Sequence, residues 1–300
     1  METKVNLAGI LLEHPLMNAA GVCKTLEEVK ELTRSNTAAI MVGSITLKKR
    51  ESESGEILYI GNDFSLNSVG LANPGLEYYT QYLQEMVEIA NKAGKPLFAS
   101  IAGFNPKEYA ILTKFCLERE ANLVELDLSC PNIWGKEKQE RIICFEPVLV
   151  KKVLNAVEET VGTEAKISVK LSPFSDPFAL EKIAKGISQF KLVKAVTSMN
   201  TIPNCIDFDE KGRTRLPKLA GLGGPRIKPM ALGQVIQLRK FLPRNIDIIG
   251  VGGISSGKDV IDFQQAGAKI VQICTLLLRF APKKWLNVFD RLLIEYYSTT

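Results

Sequence analysis

A chain of 300 residues with 46% hydrophobic and 24% charged side chains has the makeup of an ordinary globular protein, neither disordered nor fibrous, with length for one α/β barrel. Its net charge of +5 is modest and its Lys and Arg are dispersed, which argues against a nucleic-acid partner and leaves only a weak preference for anionic small molecules. No apolar run approaches the roughly 20 residues of a membrane span, and the opening METKVNLAGILLEH is too short and too acidic for a secretion signal, so the chain reads as cytoplasmic with reduced thiols.

An N-terminal hairpin holding His14, the single histidine, is expected first. Eight apolar runs bounded by Gly, Pro, Asn or Ser follow: 15–21, 38–44, 96–103, 122–129, 166–173, 193–200, 246–253 and 268–275. Between them lie segments of helical spacing, among them TLEEVKELTRS, GLEYYTQYLQEMVEIANKAG, NPKEYAILTKFCLEREA and PMALGQVIQLRKFL. Strand alternating with helix implies a parallel sheet, and eight units in this length fit a (β/α)8 TIM barrel better than an open doubly wound sheet. No G-x-G-x-x-G follows the first strand, and the insertions 48–73, 131–145 and 202–227 all follow C-terminal ends of strands, where barrels build their sites. With no linker or repeat, the reading is a single domain over 1–300.

The run LVELDLSCPN reads as a strand that stops at a proline and delivers Cys130 to that face. A lone cysteine is most often a small buried apolar side chain; here its position at the mouth of the barrel also allows a general base. Lys170 lies inside the strand ISVKLSP, where a charge is either paired, with Asp127 as the natural partner, or turned to an electron-rich cofactor. GGISSGKD at 252–259 nearly matches a phosphate-cradling loop but has Asp259 where magnesium needs a hydroxyl, which rules out a nucleotide triphosphatase. Gly252 and Gly253 end the seventh run and Cys274-Thr275 the eighth, the usual phosphate site of a barrel, where the glycines serve either a phosphate or only tight turns; GLGG at 221–224 is a second glycine cluster. Asn67, Asn132 and Asn200 fall at strand ends or in their loops, where amides could read a ring. No C-x-x-C pair occurs among the six cysteines, so neither a metal site nor an iron–sulfur cluster held by this chain alone is expected.

Taken in order, SCPN after a strand, LNSVGLANPG at 66–75, VKLSP, the Asn-Thr pair at 200–201, GLGGPRIKPMAL and GVGGI resemble the dihydroorotate dehydrogenases. Within that FMN-barrel superfamily they most resemble the soluble class whose base is cysteine. The resemblance implies a cytoplasmic flavoprotein of pyrimidine biosynthesis that binds FMN and oxidises dihydroorotate to orotate, with Cys130 as base and Lys170 beside the flavin. It further implies that Asn67, Gly70, Leu71, Asp127, Asn132, Asn200 and Thr201 contact the substrate. Ala20, Gly21, Ser44, Ser100, Asp127 and Lys170 would meet the cofactor, as would Gly223, Gly224, Gly252, Gly253, Cys274 and Thr275. A homodimer is implied, and an iron–sulfur partner subunit if NAD rather than fumarate is the acceptor.

Two positions depart from the family pattern. Gly43 stands where a lysine usually ends the second strand, and Asp127 stands where an asparagine usually meets the ligand. Both changes make the pocket more negative, which leaves a related enzyme acting on another dihydropyrimidine or unsaturated ring as the alternative. Lys48 or Lys49 is the candidate to restore the missing cation.

Overall fold

The computed structural model describes residues 4–52, 55–130 and 141–299. The eight apolar runs are eight parallel strands: β1 (Leu16–Asn18), β2 (Ile40–Ile45), β3 (Leu97–Ile101), β4 (Leu123–Asp127), β5 (Ile167–Lys170), β6 (Val193–Thr197), β7 (Asp247–Val251) and β8 (Ile270–Ile273). Their order, β1-β8-β7-β6-β5-β4-β3-β2, places each beside its sequence neighbours, as a barrel requires. The seam between β1 and β2 is closed by backbone bonds at its ends, among them Ala38 N–H to the Leu16 carbonyl and Gly43 N–H to the Cys23 carbonyl, and by a side chain between them. The Asn18 amide donates to the Met41 carbonyl at 2.7 Å and accepts from the Met41 N–H at 3.0 Å, standing in for ladder bonds.

Helices cover the outside, and their first residues show why they start where they do. Thr25 and Glu28 form a reciprocal cap on α1 (Leu26–Arg34). α2 (Leu76–Lys92) follows Gly75, and Asn105 caps α3 (Pro106–Glu118). α4 (Pro147–Val161) and α5 (Pro177–Ile187) both begin on proline, and α6 (Lys228–Phe241) carries one at its second position, where a missing N–H costs nothing. α7 (Gly257–Ala266) explains the near-match at 252–259. Ser256 and Asp259 make its cap, and the Asp259 carboxylate also accepts the Ser255 N–H at 2.8 Å. The residue that spoils the phosphate-loop motif is therefore the acid that starts a helix.

The hairpin of Val5–Leu7 and Ile10–Leu12 plugs the bottom of the barrel, burying Leu7 and Leu12 with Met17, Met41, Phe98 and Ile249. His14 lies just beyond its second strand, not within it. It is buried; its Nδ1 accepts the Leu16 N–H, and burial pushes its pKa down to about 4.

The opposite end carries an element that the apolar pattern does not reveal. Ile202–Cys205, Ala220–Gly223, Ser65–Asn67 and Leu58–Ile60 form a four-stranded antiparallel sheet from the first and third insertions, lying across the C-terminal face. Gly221 is obligatory there, because a Cβ would stand 2.1 Å from Thr201 Oγ1. Among the described residues, no helix is long and apolar enough to cross a membrane.

Candidate active site

A cavity of about 710 Å³ lies between the strand ends and this small sheet, a volume typical of a cofactor or ligand pocket. Cys130 opens onto it three residues beyond the end of β4 and is half-buried. Asp127 holds the intervening turn. Its Oδ1 accepts the Ser129 N–H at 3.0 Å and the Ser129 hydroxyl at 2.6 Å, while Tyr109 donates to its main-chain carbonyl at 2.7 Å. The Asn200 amide donates to Ser129 Oγ at 3.0 Å and accepts the Thr201 N–H at 2.8 Å. On the other side, Ser44 donates to Asp127 Oδ2 at 3.4 Å. Asp127 is thus a cavity residue whose charge is met by hydrogen bonds, and it fixes where the thiol stands.

Lys170 ends β5 in register with Asp127, and both line the cavity. Its ion-pair partner is nevertheless Glu125, at 3.8 Å, not Asp127 as the sequence suggested. The reason is the strand period: residues 125 and 127 share the inner face, and Glu125 sits a layer deeper. Glu125 has no exposed surface; it accepts the Thr197 hydroxyl at 2.6 Å and the Gln272 amide at 3.3 Å. Burial acts to lower the Lys170 pKa, but Glu125 and then Asp127 outweigh it, so the ammonium is held above its ordinary value.

At the far end of the cavity, Gly224, Gly252 and Gly253 all have positive φ (86°, 126° and 83°). A Cβ on Gly253 would stand 2.9 Å from the Gly224 carbonyl oxygen, so the loops after β7 and before α6 touch through glycine. Among the described residues, no acceptor takes the N–H groups of these three glycines. Such a run of N–H donors suits a phosphate. Arg279 and Arg291 also line the cavity, although both donate to backbone carbonyls.

The structure brings Ala20, Gly21, Ser44, Asn67, Gly70, Leu71, Asp127, Cys130 and Lys170 onto one wall or another of this cavity. Asn200, Thr201, Gly223, Gly224, Gly252, Gly253, Cys274 and Thr275 complete it. Ser100 is not at the surface: it is fully buried behind Ser44, with the two hydroxyls 2.9 Å apart. Asn132 lies outside the described residues. Lys48 and Lys49 do not reach the cavity; both are exposed, and Lys49 pairs with Glu51 at 2.6 Å. Gly43 could not carry the missing side chain in any case, since at φ 117° its Cβ would stand 2.3 Å from the Ser100 carbonyl oxygen.

Sequence reasoning missed Glu125, Gln272 and Lys24. Glu125 was legible through its spacing from Asp127. Gln272, in β8, leaves its buried Oε1 without a partner among the described residues while lining the cavity. Lys24 gave no local signal; it follows β1 in a loop and reaches the cavity from the side.

An eight-stranded barrel with a phosphate-suited glycine cradle at one end of its cavity and a thiol and a lysine at the other defines an α/β-barrel enzyme of the cofactor-dependent kind. A sequence model of the dihydroorotate dehydrogenase family matches residues 2–293. Dihydroorotate dehydrogenase A (fumarate) of Lactococcus lactis subsp. lactis is 35% identical over 302 residues, covering 97% of this chain and 92% of that protein. The catalytic subunit of dihydroorotate dehydrogenase B (NAD(+)) of Thermoplasma acidophilum is 30% identical, over 97% and 92%. The crystal structure of the Eimeria tenella enzyme in complex with ferulenol superimposes with a TM-score of 0.80 at 20% identity, covering 99% of this chain and 84% of that one, a likeness of fold. The chain belongs to the dihydroorotate dehydrogenase family.

Proposed function

We propose that this protein oxidises dihydroorotate to orotate with FMN held in the barrel cavity, as a step of pyrimidine biosynthesis. The observation that carries the reading is the meeting of Cys130, Lys170, Asn67, Asn200 and Thr201 on one cavity that also holds the glycine cradle. The residues present fit FMN. Unpartnered N–H groups of Gly224, Gly252 and Gly253 suit its phosphate, and the buried orphan Gln272 Oε1 together with the Lys170 ammonium suits the polar edge of its ring. When bound, FMN supplies an acceptor for the hydride that leaves C6 of the substrate.

The chain's own part is to position the ring and take the proton. Asn67, Asn200 and Thr201 orient the pyrimidine through its amide edges. Cys130 removes the C5 proton as thiolate; the C5–H electrons form the C5–C6 double bond as hydride leaves C6. A thiol acts as a base only in its thiolate form, which positive neighbours favour. Lys24 and Lys170 both lie close enough to Cys130 to be stabilised by it. Lys170 also places a fixed positive charge where the cofactor gains electrons.

Protein purified in the dark should be yellow and release FMN on denaturation, and orotate should appear when dihydroorotate and an acceptor are added. Turnover with fumarate by this chain alone supports the fumarate-type assignment; turnover with NAD only in the presence of an iron–sulfur subunit supports the other. A colourless protein that cannot be reconstituted with FMN overturns the proposal.

A further inference from the structure

Behind the glycine cradle lies an ion pair that the proposed chemistry does not use. Lys228, the first residue of α6, donates to Asp259 and, at 2.7 Å, to Asp262, both on α7. Neither Lys228 nor Asp259 lines the cavity. Burial works against both charges, yet each holds the other ionised: the Lys228 pKa is raised and the Asp259 pKa is lowered.

The helices joined by this pair follow the two loops that make the cradle. Gly224 precedes α6, and Gly252 and Gly253 precede α7. The loops are in close contact, since a Cβ on Gly253 would stand 2.9 Å from the Gly224 carbonyl oxygen, 2.9 Å from Lys228 Cβ and 3.0 Å from the Lys228 nitrogen. Asp259 fastens the rest of the second loop as well. Its Oδ2 accepts the Ser255 N–H at 2.8 Å, the Ser255 hydroxyl at 3.0 Å and the Ser256 N–H at 2.8 Å, while its Oδ1 takes the Lys228 ammonium. The Gly257 N–H goes to Glu295 at 2.8 Å, and the Asp259 N–H to Ser256 Oγ at 3.3 Å. The start of α7 is thus consumed by its own caps. The donors this loop offers the cavity are Gly252 and Gly253, and their separation from Gly224 depends on how the two loops are held together.

Resting on FMN as the cofactor, we propose that Lys228 and Asp259 are positioning residues for its phosphate: their ion pair clamps the Gly224 loop to the Gly252–Gly253 loop and fixes the spacing of the N–H donors. Donors held in place before binding hold a phosphate better than donors that must be ordered by it. A clamp differs in sign from plain attraction of the phosphate by the Lys228 charge. Removing the negative charge of Asp259 would strengthen plain attraction, whereas it opens the clamp.

The test is the affinity of the full-length protein, freed of flavin, for FMN and for riboflavin, which has the same ring and ribityl chain without the phosphate, read from flavin fluorescence. Asp259→Asn keeps the shape and an oxygen for the serine N–H groups. It should weaken FMN by about 10-fold or more, the scale of one lost charge-assisted hydrogen bond, and riboflavin by less than about threefold. Lys228→Met should do the same and serves as the second variant should asparagine disturb folding, and Lys228→Arg should retain most of the FMN affinity. Equal losses of FMN and riboflavin in the neutral variants would leave the pair a structural role only. FMN bound by Asp259→Asn as tightly as by the wild type, or more tightly, would overturn the clamp. In both cases the proposed function stands. A wild type that binds neither flavin, or binds riboflavin as tightly as FMN, overturns the FMN reading itself.

Discussion

Replacing Glu125 by glutamine isolates the charge buried beneath the cavity. Glutamine keeps the shape and can still accept from Thr197, so the variant removes little besides the negative charge 3.8 Å from Lys170. Two unit charges about 4 Å apart interact by about 4 kcal/mol at an effective dielectric near 20, and removing one partner of a buried pair typically costs about 3–5 kcal/mol. Glu125→Gln should therefore lose about 3–5 kcal/mol in urea unfolding. Lys170→Met should lose a comparable amount, and the double variant much less than the sum. Glu125→Gln should also release FMN more readily, because the Lys170 ammonium loses its largest stabilising neighbour while its burial remains. A loss below about 1 kcal/mol, or additive single losses, would show that the pair is not coupled as the geometry requires.

Two further outcomes follow from the same structure. His14 is held near pKa 4 against an ordinary 6.5, so it stays neutral in the fold where the unfolded chain takes up a proton. Its contribution is complete above about pH 6.5 and is lost as pH falls to about 4, a difference of roughly 3 kcal/mol that the non-titrating Asn or Gln at this position would abolish; a His14→Gln variant with the wild-type acid slope refutes the assignment. Gly43→Ala puts a Cβ 2.3 Å from the Ser100 carbonyl oxygen at φ 117° and should cost more than about 2 kcal/mol, seen as a lower Tm. An alanine variant as stable as the wild type would refute that constraint, and a lysine introduced there meets the same obstacle.

Much of the barrel was legible because each strand is buried on both faces and so reads as an apolar run between turn residues. Cys130 and Lys170 were legible for a related reason: a thiol at a strand end and a charge within a strand both stand out against that background. The small sheet over the mouth was not, since Leu58–Ile60 and Ser65–Asn67 are three residues each, too short for alternation to register. Lys24 was hidden for a different reason. Nothing in GVCKTLEE distinguishes it from a surface lysine; only the approach of the 69–72 loop to the end of β1, some 48 positions away in sequence, makes it a cavity residue. Likewise Gly43 reads in the sequence as a lost lysine, whereas the backbone shows a position that no side chain can fill.

The central claim, that dihydroorotate delivers its electrons in this cavity with Cys130 as base, is tested most directly by anaerobic rapid mixing of the flavin-loaded protein with dihydroorotate. The wild type should bleach in a single turnover, and Cys130→Ser, with its flavin still bound, should bleach slower by on the order of 100-fold or more, with the deficit narrowing as pH rises. Bleaching at the wild-type rate by Cys130→Ser would remove the thiol from the mechanism, and a wild type left oxidised by dihydroorotate but bleached by an uncharged dihydropyrimidine would contradict the substrate.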